Sequence, residues 1–216
     1  MNQYLVFSIG FLATICFSAR MLVQWIRSEK AGRVLSPVLF WQLSILASFL
    51  MMIYGILRQD LSIIIGQTMT YGIYIRNLYY KGFWNKIPKI VRILAIVFPV
   101  LAVSILLGGN NYNFNKLIRN ENIPLYLMIW GVAGQLVFTF RFVYQWFHTE
   151  KLKQSVLPIG FWIISILGSL MVLSYAIIRR DPVLFVGQIF GTVVYFRNIL
   201  IWLRQRRQQR IHTEQP

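Results

Sequence analysis

The sequence predicts an all-α polytopic membrane protein with seven transmembrane helices, formed by two parallel three-helix repeats and a linker helix. Three observations predict this fold: apolar segments long enough to cross a bilayer, basic residues gathered between them, and an internal repeat at an offset of 121 residues. Of the 216 residues, 57% are hydrophobic and only 13% are charged, and the mean hydropathy is +0.58. Such a composition is typical of polytopic membrane proteins and not of soluble domains.

The order of the elements follows from the apolar segments. A bilayer core about 30 Å thick needs about 20 residues of α-helix. Short polar connections at 58–60 and 179–181 predict tight helical hairpins. Pro37, Pro158 and Pro182 fall at predicted helix starts, where a missing N–H costs little. The predicted transmembrane segments are Tyr4–Ile26, Pro37–Leu57, Leu61–Tyr80, Ile90–Leu107, Leu125–Phe147, Pro158–Ile178 and Pro182–Leu203.

These segments divide the chain into four parts. We expect a first three-helix repeat at 1–82, a linker with the fourth transmembrane helix at 83–124, a second repeat at 125–204 and a basic cytoplasmic tail at 205–216. A single linker helix returns the chain to its starting side of the membrane. Both repeats then enter the membrane in the same direction and should be related by a pseudo-twofold axis along the membrane normal.

The charge balance points to a membrane surface. The 22 Lys+Arg residues outnumber the 6 Asp+Glu residues and give a formal net charge of +16. We expect no nucleic-acid partner, because no basic amphipathic helix or nucleic-acid motif accompanies this charge. Most basic residues lie on the side that carries the C-terminal "RQRRQQR" segment. The positive-inside rule places that side in the cytoplasm and the N-terminus outside, so membrane lipids are expected partners.

The sequence offers little for catalysis or metal binding. Cys16 is the only cysteine, and His148 and His212 do not form a metal-ligand spacing. No nucleophile–base–acid set and no phosphate-cradling glycine loop is present. We therefore expect no metal, no cofactor and no enzymatic activity.

The internal repeat keeps polar residues within apolar segments. The stretch "GQTMTYGIYIRN" at Gly66–Asn77 returns as "GQIFGTVVYFRN" at Gly187–Asn198. Shared apolar character alone does not explain identities at polar positions. The polar pairs include Arg20/Arg141, Gln24/Gln145, Glu29/Glu150, Ser44/Ser165, Ser48/Ser169, Gln67/Gln188, Tyr74/Tyr195, Arg76/Arg197 and Asn77/Asn198.

The pattern "QWIRSEK…SPVLFWQLSILASF…YGILRQDLSIIIGQ…YIRN" and its second copy resemble the lipid A biosynthesis N-terminal domain, a three-helix membrane module. The two copies cover nearly all of the chain except the fourth helix and the tail. The second copy departs at Thr149, where the first has Ser28, and at Leu157, where the first has Ser36. The 3+1+3 arrangement looks like that of SWEET and PQ-loop transporters.

The resemblance implies a function. Stand-alone tandem members look like partners of envelope glycosyltransferases that use polyprenyl-phosphate sugars. It thus implies a flippase of the bacterial inner (cytoplasmic) membrane, which moves an undecaprenyl-phosphate-linked monosaccharide by alternating access for lipid A or envelope glycan modification. Two alternatives remain open. One is a SWEET-like uniporter of free sugars, and the other is a non-transport membrane subunit that anchors a lipid A or envelope glycosyltransferase.

Four arginines in or near the apolar segments are the candidate phosphate ligands: Arg20, Arg141, Arg76 and Arg197. A buried charge costs about 2.5–3.5 kcal/mol on insertion scales, so each needs a partner, water or a substrate. A planar guanidinium suits two phosphate oxygens, and we expect the four to converge on a central cavity. The alternative is that they snorkel to headgroups or bond to backbone carbonyls.

Amide, phenol and indole groups are the candidate sugar and lipid contacts. Glutamines that share a helical face with Arg or Tyr could hydrogen-bond sugar hydroxyls, and Gly66 and Gly187 would allow a close approach. Interhelical hydrogen bonding and small-residue packing are the alternative. Trp25, Trp41, Trp146 and Trp162 are expected to be interface anchors, with sugar stacking as the alternative. The candidate contacts are Gln24, Gln145, Gln67, Gln188, Tyr74, Tyr195, Asn77, Asn198, Trp25 and Trp146.

Acidic residues at the ends of the predicted helices are the candidate gates. Glu29 and Glu150 each precede a lysine, and form either part of a cytoplasmic gate or a solvated turn. Asp60 and Asp181 lie in tight outer turns and can cap the third helix of each repeat, which is the alternative to an outer gate.

Overall fold

The computed structural model describes residues 3–58, 61–108, 124–179 and 182–213. These residues form seven α-helices and one 3-10 turn at Trp84–Lys86. The predicted all-helical class and all seven predicted helices are confirmed. The helices are α1 (Gln3–Ala31), α2 (Val38–Arg58), α3 (Leu61–Tyr80), α4 (Lys89–Gly108), α5 (Leu125–Leu152), α6 (Ile159–Arg179) and α7 (Pro182–Thr213).

Four of these helices are long and apolar enough to cross a membrane, as judged over the described residues. The remaining three predicted spans, in α3, α4 and α7, stay predictions. Pro99 lies inside α4 without ending it. The four candidate spans are Tyr4–Ala31, Val38–Leu57, Leu125–Leu152 and Ile159–Ile178.

The helix ends repeat the same local chemistry. The N–H of Phe40 donates to the carbonyl of Pro37 at 3.1 Å, and Phe161 repeats this with Pro158 at 3.0 Å. After α1, Gly32 adopts a left-handed conformation with φ +62°, which glycine reaches without a Cβ clash. Its counterpart after α5 is Lys153, a non-glycine residue with φ 52°. The second repeat therefore carries local backbone strain that the first avoids.

The chain forms two compact units, which do not coincide with the sequence repeats. Unit 1 contains Met1–Arg20 and Trp41–Pro124, and unit 2 contains Met21–Phe40 and Leu125–Pro216. In unit 1, α3 packs against α4 around Met52, Tyr71 and Ala102. Helix α1 is therefore divided after Arg20, with its first part in unit 1 and its second part in unit 2.

Close helix packing in unit 2 depends on glycine. A Cβ built at Gly168 of α6 would lie 2.7 Å from the backbone of Phe138 in α5. A Cβ built at Gly134 of α5 would lie 2.9 Å from the Cβ of Met171 in α6. The sequence predicts that a backbone or a sugar comes close at Gly66 and Gly187. In the described part of the chain a Cβ built at either position meets nothing within 4 Å, so no backbone packs closely there. The approach of a sugar stays a prediction.

Two tryptophans are core residues. Trp41 and Trp162 are fully buried, and their rings lie 6.0 Å from Tyr74 and 6.2 Å from Tyr195, centroid to centroid. The prediction that they anchor the protein at the membrane interface is wrong, because a fully buried indole does not reach lipid headgroups. Each instead packs beside the tyrosine that contacts the buried arginine of its unit.

Candidate functional site

Arg20 is buried in unit 1, with 5% of its surface exposed. Its Nη1 donates to Ser44 Oγ at 2.8 Å and to Tyr74 Oη at 3.2 Å. The guanidinium carbon lies 4.5 Å from the centroid of the Phe17 ring and 5.5 Å from that of Tyr74. Helices α1, α2 and α3 thus each contribute to its surroundings. The hydroxyl groups and rings stabilise the cation.

Arg141 has an equivalent position in unit 2 and is 4% exposed. Its Nη1 donates to Tyr195 Oη at 3.1 Å, which repeats the bond from Arg20 to Tyr74. The rings around it are closer, and the guanidinium carbon lies 3.4 Å from the centroid of Phe138. Ser165, the counterpart of Ser44, donates instead to the Phe161 carbonyl at 2.5 Å. Each arginine therefore donates to the tyrosine at the same position of its own repeat, but the other neighbours of the two arginines differ.

Arg76 and Arg197 are only partly buried. Arg76 donates to Tyr80 Oη at 2.9 Å, one turn along α3. Arg197 forms a two-pronged ion pair with Glu29, in which Nε donates to Oε2 at 2.9 Å and Nη2 contacts Oε1. The structure therefore gives Arg197 a carboxylate partner and gives Arg76 a phenolic one.

Gln24 is the centre of a buried amide network in unit 2. Its Nε2 donates to Asn198 Oδ1 at 2.7 Å, and Asn198 Nδ2 donates back to Gln24 Oε1 at 3.1 Å. The same Nε2 lies 2.9 Å from Ser28 Oγ and 3.3 Å from the Leu35 carbonyl. Both amides are fully buried. This network holds α1, the loop that follows it and α7 together.

Gln145 and Asn77 are also fully buried. Gln145 Nε2 donates to Thr149 Oγ1 at 2.7 Å and to the Val156 carbonyl at 2.8 Å, as Gln24 does to Ser28 and Leu35. Asn77 Nδ2 donates to the Ile73 carbonyl at 2.9 Å. The change from Ser28 to Thr149 in the second copy therefore preserves the hydroxyl acceptor.

Gln67 and Gln188 each accept a hydrogen bond from a serine of the preceding helix. Ser48 Oγ donates to Gln67 Oε1 at 2.6 Å, and Ser169 Oγ donates to Gln188 Oε1 at 2.8 Å. In the second repeat, Thr192 Oγ1 also lies 2.7 Å from Ser169 Oγ. These bonds use the carbonyl oxygens of the two glutamines and not their amide N–H groups.

Two candidate gates, Glu29 and Glu150, lie near the ends of α1 and α5, each beside a candidate tryptophan. Trp25 Nε1 donates to Glu29 at 3.2 Å, and Trp146 Nε1 donates to Glu150 at 3.1 Å. Lys153 Nζ also contacts Glu150 at 3.3 Å. Trp146 is 37% exposed, so its ring reaches the surface. Asp60 and Asp181 lie outside the described residues.

Sequence reasoning missed the hydroxyl partners. Ser44, Ser48 and Ser169 stand at repeated positions, but the sequence alone does not indicate what they bond to. Their signal was a small polar residue conserved between the two copies of an apolar helix. Over the described residues, no group of three or more His, Cys, Asp or Glu side chains is placed to hold a metal ion.

The comparison with protein families agrees with the repeat. The model of the lipid A biosynthesis N-terminal domain matches twice, at residues 9–79 and 130–200. The chain belongs to the lipid A biosynthesis N-terminal domain family. The predicted tandem arrangement of this domain is therefore confirmed. No solved structure is significantly similar to this member of the family.

Curated relatives of this family member carry the name Lipid-A-disaccharide synthase. The protein from Chlamydia felis is 27% identical over 97% of this chain and 35% of its own length. The protein from Chlamydia trachomatis serovar D is 30% identical over 82% of this chain and 31% of its own length. The chain thus spans about a third of the length of the curated relatives it matches.

These relatives correct one prediction. The sequence predicted that the chain is not an enzyme, because no catalytic constellation was visible. That prediction is wrong, since the matched proteins are named as an enzyme, Lipid-A-disaccharide synthase. A region with no visible catalytic motif here corresponds to about a third of each of these proteins named as an enzyme.

Proposed function

We propose that this lipid A-related membrane protein binds a phosphate-bearing lipid-linked sugar and moves it between the leaflets of the inner membrane. The substrate class is a polyprenyl-phosphate-linked monosaccharide. One observation supports this proposal above the others: each unit buries an arginine, Arg20 or Arg141, against a tyrosine hydroxyl from the third helix of a repeat. All seven helices would span the membrane in a SWEET-like 3+1+3 order, with the N-terminus outside.

The chemistry of the arginines supports a phosphate ligand. The free energy of burying a guanidinium in a bilayer is unfavourable by several kcal/mol unless the group is solvated by the protein. Ser44, Tyr74 and Tyr195 provide hydroxyl oxygens that accept hydrogen bonds from the two guanidinium groups. A phosphate would add charge-assisted hydrogen bonds, each worth about 1.5–3 kcal/mol.

The other polar groups fit a sugar headgroup. Gln67 and Gln188 are oriented through their carbonyl oxygens by Ser48 and Ser169, which leaves the amide N–H groups to donate to sugar hydroxyls. Trp25 and Trp146 would stack on the sugar near the ends of α1 and α5. In this hypothesis the pair of Glu29 and Arg197 is a cytoplasmic gate, because a substrate phosphate competes with the carboxylate for the guanidinium.

The test is leaflet exchange in proteoliposomes. A polyprenyl-phosphate sugar with a fluorescent label on the sugar is reconstituted with the purified chain, and a membrane-impermeant quencher reports outer-leaflet label over time. We expect exchange that depends on the protein. A neutral glycolipid with the same sugar is the matched control and should exchange no faster than in protein-free vesicles. Equal exchange of both lipids, or of neither, would contradict the proposal, and uptake of free radiolabelled sugar would favour the uniporter.

A second function is favoured by the relatives. Because the matched region forms about a third of proteins named Lipid-A-disaccharide synthase, the chain could instead be a membrane subunit that holds a sugar transferase. This hypothesis predicts stable co-purification with the transferase and no leaflet exchange by the chain alone. The exchange assay therefore separates the two functions.

A further inference from the structure

Unit 2 has an open apolar groove between α6 and α7. Its volume is about 410 Å³. Leu170 and Phe196 line it and are 49% and 56% exposed. The pair of Trp25 and Arg197 lines it as well. The lining residues are Trp25, Ile166, Leu170, Thr192, Val193, Phe196 and Arg197.

The internal repeat identifies the same face in unit 1. At the offset of 121 residues, Ile166, Leu170, Thr192 and Phe196 correspond to Ile45, Phe49, Tyr71 and Ile75. In unit 1 these four residues belong to one packed cluster with residues of the linker helix α4. The residues that α4 contributes are Ala95, Phe98, Ala102 and Val103.

Contact with α4 buries this face in unit 1. Tyr71 is only 3% exposed, and the ring centroids of Phe49 and Phe98 lie 4.5 Å apart. Ala102 is fully buried in the same cluster. The described residues of unit 2 include no helix in the corresponding place. The groove of unit 2 is therefore equivalent to the surface that α4 covers in unit 1.

We propose that this groove is the docking site for an apolar membrane-spanning helix of another polypeptide, with aromatic and small residues on its contact face like those of α4. Membrane helices associate through close packing at small residues, which alanine provides in α4. Leu170 and Thr192 are smaller than their counterparts Phe49 and Tyr71, so the partner helix has room for a larger side chain than Ala102.

A second copy of this chain is the less suitable occupant. The helix face of the required chemistry is that of α4, and it is already buried against α3 in its own unit. A phospholipid acyl chain could enter the groove, but it would not reproduce the packing of a helix at the equivalent face. This inference does not rest on the buried arginines, because it concerns packing between helices. Trp25 and Arg197, which line one part of the groove, also belong to the proposed sugar contact and gate.

The probe is a synthetic peptide with the sequence of α4, residues 89–108, in which photo-leucine replaces Val103. It is reconstituted with the purified full chain in vesicles of phosphatidylethanolamine and phosphatidylglycerol and irradiated, and the adducts are mapped by mass spectrometry. We expect adducts within residues 166–196. Leu170→Trp fills the groove and should lower the adduct yield about fivefold, which corresponds to about 1 kcal/mol of binding free energy.

Leu136→Trp is the matched control, because Leu136 is exposed on α5 and outside the groove lining. Its adduct yield should equal that of the unsubstituted chain. Adducts with phospholipid alone, or adducts that Leu170→Trp does not reduce, would overturn the proposal. Disulfide formation between two copies that carry Val193→Cys would assign the groove to self-association and would overturn it as well.

Discussion

The pair of Gln24 and Asn198 offers the sharpest test of packing in unit 2. Gln24→Leu removes both amide hydrogen bonds, at 2.7 and 3.1 Å, and leaves the buried Asn198 with its bond to the Val194 carbonyl. Side-chain hydrogen bonds between membrane helices contribute about 0.6 kcal/mol on average and up to about 1.7 kcal/mol each. Two such bonds give a coupling free energy of about 1–3 kcal/mol between the two positions.

The assay is a double-mutant cycle on the free energy of unfolding. Gln24→Leu, Asn198→Leu and the double variant are unfolded from mild detergent by titration with a denaturing detergent. We expect each single variant to be destabilised, because it leaves the other amide without its partner. The double variant should lose less unfolding free energy than the sum of the two single losses, because neither amide remains to be left unsatisfied. The matched control pairs Asn198→Leu with Gln188→Leu, ten residues or about 15 Å earlier on α7, where the effects should be additive. Additive effects in the Gln24 cycle would refute the reasoning.

Three further predictions follow from the described contacts. Gly168→Ala adds a methyl group 2.7 Å from the Phe138 backbone, and should lower the unfolding free energy by about 1–3 kcal/mol, whereas Gly187→Ala should not; equal thermal stability of both variants would argue against the close approach of α5 and α6. Lys153→Gly relieves a left-handed residue and should raise the unfolding free energy by about 1 kcal/mol in a detergent titration; no gain would mean that the strain is absent. Tyr74→Phe and Tyr195→Phe each remove an acceptor of a buried arginine and should cost about 1–3 kcal/mol in thermal unfolding, while Tyr126→Phe, at an exposed site, should cost nothing; a neutral result at Tyr74 and Tyr195 would show that their hydroxyl groups do not stabilise the arginines.

The sequence was sufficient for the helices and for the repeated domain. Apolar length sets where a helix can span, and Pro37 and Pro158 mark where the next helix begins. Identities at polar positions then revealed the duplication, because hydrophobicity alone does not select Arg20 and Arg141. Both signals are read from the order of residues along the chain, so they do not require knowledge of how the helices pack.

Side-chain partners could not be predicted in the same way. Ser44 contacts Arg20, whereas its counterpart Ser165 bonds to its own helix, although both occupy the same repeat position. Trp41 is an equally clear case, since position near a helix start suggested an interface anchor and the packed helices bury it completely. Such contacts depend on a few ångströms of separation between helices. Gly168 and its counterpart Ala47 influence this separation, but the identity of one residue does not predict the distance.

The most direct measurement of the central claim is the leaflet-exchange rate of the phosphate-linked sugar in vesicles containing the Arg20→Lys and Arg141→Lys double variant. Lysine keeps the charge but loses the planar fork, so about one charge-assisted hydrogen bond is lost at each site, worth about 1.5–3 kcal/mol. The account predicts that exchange falls by about a hundredfold or more, because the two losses together amount to at least about 3 kcal/mol. Arg206→Lys, an exposed arginine above the Trp202 ring, should exchange at the unsubstituted rate. Unchanged exchange in a folded double variant would contradict the account.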